Sequence, residues 1–170
     1  AALALEAEAR IADSSGATWQ PVAALFAGPG CSTVDPTRQL ITHIRFPLPA
    51  ASWGTAWRRA GRRPSLILPT VNCAAKLTLA ADSSIAAAVV ALGPVAVVPF
   101  RASGVEAFLQ GAQPGPATWR EASRLAQAAA HPRSSPLRAS REYRLAIIPA
   151  LVEDALATAY GRATQKESTC

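Results

Sequence analysis

The sequence predicts an α+β fold, with an antiparallel sheet packed against C-terminal helices. Three observations carry the prediction. Alternating and β-branched segments of strand length fill the chain up to Arg101. From Ser103 onward the apolar spacing lengthens to that of a helix. Strands therefore come first and helices last, which favours segregated layers over alternating βαβ units.

In "LALEAEARIADSSGATWQPV", Leu5, Ala7, Ala9 and Ile11 alternate with polar residues, which predicts a half-buried strand. Ser14-Ser15-Gly16 then turns the chain into a second strand over Thr18–Val22, making a hairpin. "AALFAGPGCSTVDP" predicts a short helical turn, stopped by Gly28-Pro29-Gly30 and leading into a loop. "QLITHIRFPLP", 39–49, is rich in β-branched and aromatic residues and ends in two prolines, as a strand would. Further strands are predicted over 53–61, over 66–81 with a break or bulge at Pro69, over 84–92 and over 95–101.

"SGVEAFLQG" predicts a short helix with Ser103 as N-cap and Gly111 beyond its end. "PGP", 114–116, reads as a loop, and the next helix aligns Trp119, Ala122, Ala126 and Ala129 on one face. A final helix over 139–160 aligns Tyr143, Ile147, Leu151 and Ala155. Pro149 inside it predicts a kink or a displaced start. Ser135-Pro136 and Ser140 are both candidate starts for that helix, and Arg138 and Glu142 could pair at spacing four.

Hydrophobic residues make up 50% of the 170 and charged residues 16%, which excludes a disordered chain and predicts a core of closely packed small side chains, because much of the apolar content is alanine. The uncharged window 83–100 reaches the minimum length for a membrane span, but Gly93-Pro94 at its centre would break the helix and predicts a turn joining two buried strands. Cys31, Cys73 and Cys170 form no C-x-x-C unit, and with only His43 and His131 beside them they offer no zinc or iron–sulfur ligand pattern. Such sparse cysteines fit a reducing cytoplasm, with Cys73 a small core residue. The chain holds no methionine and opens on "AALALEAEAR", which reads as the end of an element already under way; a fragment lacking its N-terminal part is expected.

The net charge is +6, and Arg58, Arg59, Arg62 and Arg63 gather beside Trp57. On a strand Arg58 and Arg62 share one face and Arg59 takes the other. Such a cluster suits nucleic acid, an anionic cofactor or a neighbouring subunit, or it serves as a solvated strand edge. No RRM signature, KH loop or helix-turn-helix accompanies it. No G-x-S-x-G, Walker loop or G-x-G-x-x-G is present, and His43 and His131 read as structural. By its residues alone the chain lacks a self-contained catalytic apparatus.

Four segments taken together resemble a known family. They are "LFAGPGCSTVDPTRQLITHIRFPLP", "AWRRAGRRPSLILPTVNCAAKLTL", "VALGPVAVVPFRASGVEAFLQG" and "SSPLRASREYRLAIIPALVEDALATA". In this order they resemble the end of the FAD-binding domain, and then the C-terminal domain, of the FAD-binding (medium) flavoprotein subunit of molybdenum hydroxylases. That group includes aerobic carbon monoxide dehydrogenase and xanthine dehydrogenase. The resemblance implies that residues 1–50 are the last part of an FAD-binding domain and 54–165 a CO dehydrogenase flavoprotein C-terminal-like domain.

It also implies a cytoplasmic oxidoreductase subunit in which FAD passes electrons between iron–sulfur clusters and an external acceptor. The partners would be a molybdenum-binding (molybdopterin) large subunit and an iron–sulfur small subunit, with no nucleic acid. Leu40 and Ile41 would lie against the isoalloxazine, and Arg58, with Arg59 next, would contact the cofactor. The sequence departs from the family in lacking any Gly-Gly pair, so the glycine-rich loops that hold the FAD pyrophosphate are absent. The chain alone is therefore expected to hold FAD weakly or not at all, and to be inactive, while supplying part of the cofactor's outer wall. The alternative is a non-catalytic interaction module of the same fold, binding an acidic partner through its arginines.

Overall fold

The computed structural model describes residues 1–48, 52–61, 68–137 and 139–165. Arg62, Arg63, Arg138 and Cys170, on which several expectations fell, lie outside the described residues.

The first lobe begins with the predicted hairpin, β1 (Glu8–Asp13) and β2 (Gly16–Pro21), paired from Asp13↔Gly16 to Glu8↔Pro21. Asp13 closes its turn: Oδ1 accepts from the Ser15 backbone N–H at 2.8 Å and from Ser15 Oγ at 2.6 Å. A single 3₁₀ turn, Val22–Leu25, stands where a helical turn is predicted. It leads into a small hairpin, β3 (Phe26–Gly28) and β4 (Cys31–Ser32), so Gly28-Pro29-Gly30 turns a ribbon rather than stopping a helix. β5 (Leu40–Arg45) then pairs with β1 in the order β2-β1-β5, with a bulge opposite Arg10/Ile11.

The second lobe is the antiparallel sheet β6 (Trp53–Ala60), β7 (Val71–Leu79), β8 (Ile85–Gly93) and β9 (Phe100–Arg101), paired in that order. Pro69 does not bulge a strand. It precedes β7, where its missing N–H breaks no ladder. The strand expected over 95–101 shrinks to Phe100–Arg101, because Val95 leaves the sheet edge and is fully buried in the core. Glu106 takes over part of that edge: its Oε1 accepts the Val90 N–H at 3.0 Å.

Three helices cover one face: α1 (Ser103–Leu109), α2 (Pro116–Ala129) and α3 (Arg141–Gln165). Ala102 rather than Ser103 is the N-cap residue of α1. Pro116 is the first residue of α2 rather than loop, a position where its fixed φ suits the helix and its absent N–H costs nothing. Ala129, at the last turn, is exposed, and Ser123 and Ala130 are buried beside Trp119, Ala122 and Ala126. Ser140 starts α3, its Oγ accepting the Tyr143 N–H at 3.1 Å; Ser135 instead bridges to Ala139.

The buried stripe of α3 lies one residue round from the predicted one. Arg144, Ile148, Val152, Ala155, Leu156, Ala159 and Ala163 face the sheet, and Tyr143 is exposed. Pro149 sits within a continuous helix and cannot donate to the Leu145 carbonyl. The Gln127 side chain of α2 fills that gap, with Nε2 donating to Leu145 O at 2.9 Å.

Alternation along β7 sends Val71, Cys73, Ala75, Leu77 and Leu79 towards the helices. Ala74 points the other way and, with Val89 and Ala91 of β8, packs under Leu3 and Ala4. From Val89 to Gly93 β8 is buried throughout, covered on both faces, which explains the unbroken apolar run of its second half. Glu6 ties the N-terminal segment to the sheet through ion pairs with Lys76 and, at 3.1 Å, with Arg101. Burial pushes the Cys73 thiol up to about 12, as befits a core residue.

The backbones of β6 and α3 come very close. A Cβ on Gly54 would lie 2.0 Å from the Ala159 carbonyl oxygen and 2.6 Å from the Ala163 nitrogen, both backbone atoms that cannot turn aside. Gly54→Ala should therefore force the helix off the strand and cost about 3 kcal/mol, a fall in Tm of roughly 6–12 °C. Thermal unfolding checks this; a change below about 2 °C would show that the contact yields freely.

Candidate functional site

The two faces of β6 carry different chemistry. Gly54, Ala56 and Arg58 lie on the helix side, and Trp57 and Arg59 lie on the other, as the period of a strand requires. Arg58 is engaged within the fold. Its Nε donates to Asp154 Oδ2 at 2.5 Å, and Nη2 donates to Thr158 Oγ1 at 2.6 Å, both on α3. The Asp154 carboxyl is held below the usual carboxylate range chiefly by that hydrogen bond from Arg58. Arg59 is exposed, with its guanidinium carbon 5.9 Å from the centroid of the Trp57 ring.

Trp57, 46% exposed, is one wall of an open cleft of about 400 Å³ between the two lobes. Phe26 and Val22 approach from the first lobe, and Leu68, Pro94 and Pro99 close the second. Asn72 is the polar side chain among the described lining residues, and none of those side chains is charged. The cleft suits a flat, largely apolar ring system that needs one or two fixed hydrogen-bonding groups. Among the described residues it contains no phosphate cradle.

Leu40 and Ile41 lie elsewhere, on β5 of the first sheet, and do not line this cleft. They are 67% and 44% exposed on an edge strand, with Ile44 beside them also exposed. Across β1, Leu40 stands opposite Ala12 and Ile41 opposite Ile11. Strand alternation puts Ile41 and Ile44 on the face of Ala9 and Ile11, and Leu40 on the opposite face, which also carries Trp19, with Arg45 stacked over its ring at 4.1 Å and His43 at 6.5 Å between ring centroids.

Sequence reasoning notices Trp57 but not Leu68 or Asn72, which strand pairing brings beside it, nor Phe26, which arrives only when the lobes meet. It also misses Arg144, which is buried and anchors α3 to two loops: Nη1 donates to Thr70 O at 3.2 Å and to Pro94 O at 2.9 Å. Spacing holds the clue, because Arg144 begins the stripe continued by Ile148 and Val152. Among the described residues no helix is long and apolar enough to cross a membrane, and the window 83–100 forms β8 and the loop after it.

Comparison with known proteins places this geometry. Residues 56–159, from β6 to the last third of α3, match the CO dehydrogenase flavoprotein C-terminal domain. No curated protein matches the chain. Among solved structures, the carbon monoxide dehydrogenase of Hydrogenophaga pseudoflava lacking the Mo-pyranopterin moiety of its cofactor superposes with a TM-score of 0.86 at 25% identity, over 95% of this chain and 55% of that one. Reconstituted CO dehydrogenase from Oligotropha carboxidovorans gives 0.83 at 25%, over 94% and 54%. Quinoline 2-oxidoreductase from Pseudomonas putida 86 gives 0.83 at 26%, also over 94% and 54%. The chain thus spans little more than half the length of the solved chains it matches.

The Arg58–Asp154 pair is half in solvent, with side chains 30% and 57% exposed, so screening keeps it modest. A double-mutant cycle with Arg58→Ala and Asp154→Ala should give a coupling of about 0.5–1 kcal/mol at neutral pH. Because the folded carboxyl titrates below its ordinary value of 3.8, the coupling is complete above that pH and fades as the pH falls below it. A coupling that persists unchanged in strong acid would contradict the assignment.

Proposed function

The chain belongs to the CO dehydrogenase flavoprotein C-terminal domain family, and from that premise we propose that it is the C-terminal part of the FAD-binding subunit of a cytoplasmic molybdenum hydroxylase. In that subunit FAD would carry electrons between the iron–sulfur clusters of a small subunit and an external acceptor, with the molybdenum centre in a large subunit. The observation that carries the reading is the apolar cleft at Trp57, between the two lobes.

The residues present fit one portion of the cofactor and not another. Trp57, Phe26 and Leu68 offer an apolar wall to a flat ring system, and the Asn72 side chain offers an amide to its heteroatoms. Arg59, on the Trp57 side of β6, supplies a nearby cation. Arg58 acts one step removed, bracing β6 on α3 through Asp154 and Thr158 so that Trp57 is held in place. None of the described lining residues suits a pyrophosphate, which belongs to a part of the subunit outside this chain. Leu40 and Ile41 present an exposed apolar strand for that part to cover, at the boundary of the FAD domain.

The test is flavin retention in the intact subunit, read as visible flavin absorbance relative to protein. Trp57→Ala should weaken FAD affinity about tenfold, and Asn72→Ala by a smaller factor. Arg124→Ala, on the outer surface of α2 where Arg124 pairs with Glu121, should leave it unchanged. Unaltered FAD affinity in Trp57→Ala would remove the cleft from the cofactor site.

A further inference from the structure

A second cavity, of about 610 Å³, opens between the β3–β4 turn, the loop after β8 and the α2–α3 connection. Its lining brings together His131, Arg133, Ser135 and Arg144, with Pro29, Pro94 and Val97 as apolar walls, and no carboxylate lines it among the described residues. We propose that this cavity is a binding site for a phosphate group, free or carried as the ester of a small molecule.

The charge at this cavity is built into the fold. Arg144 is 4% exposed, and two backbone carbonyls, Thr70 O and Pro94 O, fix its Nη1. Its guanidinium is therefore held in one place at the cavity wall, and the ordering cost of an anion site is already met there. Arg133 is exposed at the cavity mouth and forms no ion pair among the described residues. His131 is anchored through its backbone N–H, which donates to Val95 O at 2.8 Å, so its ring stays with this loop.

Two arginines and a histidine lining one concave space, with Ser135 as a neutral donor beside them, match an oxyanion with several acceptor oxygens. Planar guanidinium forks select phosphate-like geometry over halide, and the concave wall concentrates their field. The volume lies within the range of small-molecule sites, so there is room beyond the phosphate for an organic substituent against Pro29 and Val97. Among the described residues the cavity shares only Pro94 with the Trp57 cleft, and its proposed ligand does not depend on the flavin reading.

The probes are inorganic phosphate and glycerol phosphate, titrated into the intact protein by calorimetry at constant ionic strength. Saturable binding with a Kd at or below about 1 mM is expected for at least one of them. Tighter binding of the ester would identify a phosphorylated small molecule as the ligand, and equal binding would identify the phosphate group alone. Arg133→Ala should raise Kd about tenfold. Ser135→Ala should raise it less, and Arg124→Ala not at all. Arg144→Ala is a poor probe, because it also releases the two loops that Arg144 ties to α3. Absence of saturation with both probes would overturn the proposal. So would an equal loss in Arg133→Ala and Arg124→Ala, the mark of a diffuse ion atmosphere.

Discussion

Everything else in this fold hangs on the contact between β6 and α3. Gly54 lets the strand backbone meet the helix backbone with no side chain between them, and Ala56, Ala155, Ala159 and Ala163 keep the rest of the seam thin. Packing of this kind gains dispersion energy by proximity rather than by bulk, and it tolerates little change because no flexible group can give way. It explains why a chain so rich in alanine builds a firm core, and it fixes the register of β6 against the helix.

That register decides what each arginine does. Two residues along the same face from Ala56, Arg58 reaches Asp154 and Thr158 at the edge of the seam, where charge can stay partly in solvent. One residue further, Arg59 must face away with Trp57. At the start of α3, Arg144 takes the first place in the buried stripe, where two loop carbonyls receive its guanidinium. The same helix therefore holds the sheet by small residues along its length and by Asp154 and Thr158, which receive Arg58, while Arg144 at its start ties it to two loops. The strand's period, which in the sequence already separates Arg58 from Arg59, makes one a structural brace and the other an exposed group.

The fold class is legible in the sequence because it rests on periodicity and order. The alternation around Ala9 and Ile11, the run of β8 and the lengthening of period after Ser103 each have a local cause that the structure keeps. Differences arise where a long-range partner changes a local rule. Pro149 by itself should disturb the last helix, and only the Gln127 amide of another helix allows it to pass. The stripe of α3 lies one residue from its predicted place because a buried arginine, Arg144, belongs to it. The strand over 95–101 is shorter than its composition suggests because Val95 fills a core and not a ladder. Of the site, Trp57 can be noticed from its neighbours in sequence. Leu68 and Asn72 reach it through the pairing of β6 with β7, and Phe26, from a distant segment, joins them only when the two lobes meet.

The central claim is that the face of β6 turned away from α3 forms a wall of the flavin site, held in place by the seam behind it. A crystal structure of the intact subunit with FAD bound tests this most directly. The account predicts the isoalloxazine in van der Waals contact with the Trp57 ring, with the Arg58–Asp154 pair intact behind it and the pyrophosphate held by residues outside this chain. An isoalloxazine remote from Trp57, or an Arg58 withdrawn from Asp154 to reach the flavin, would contradict it.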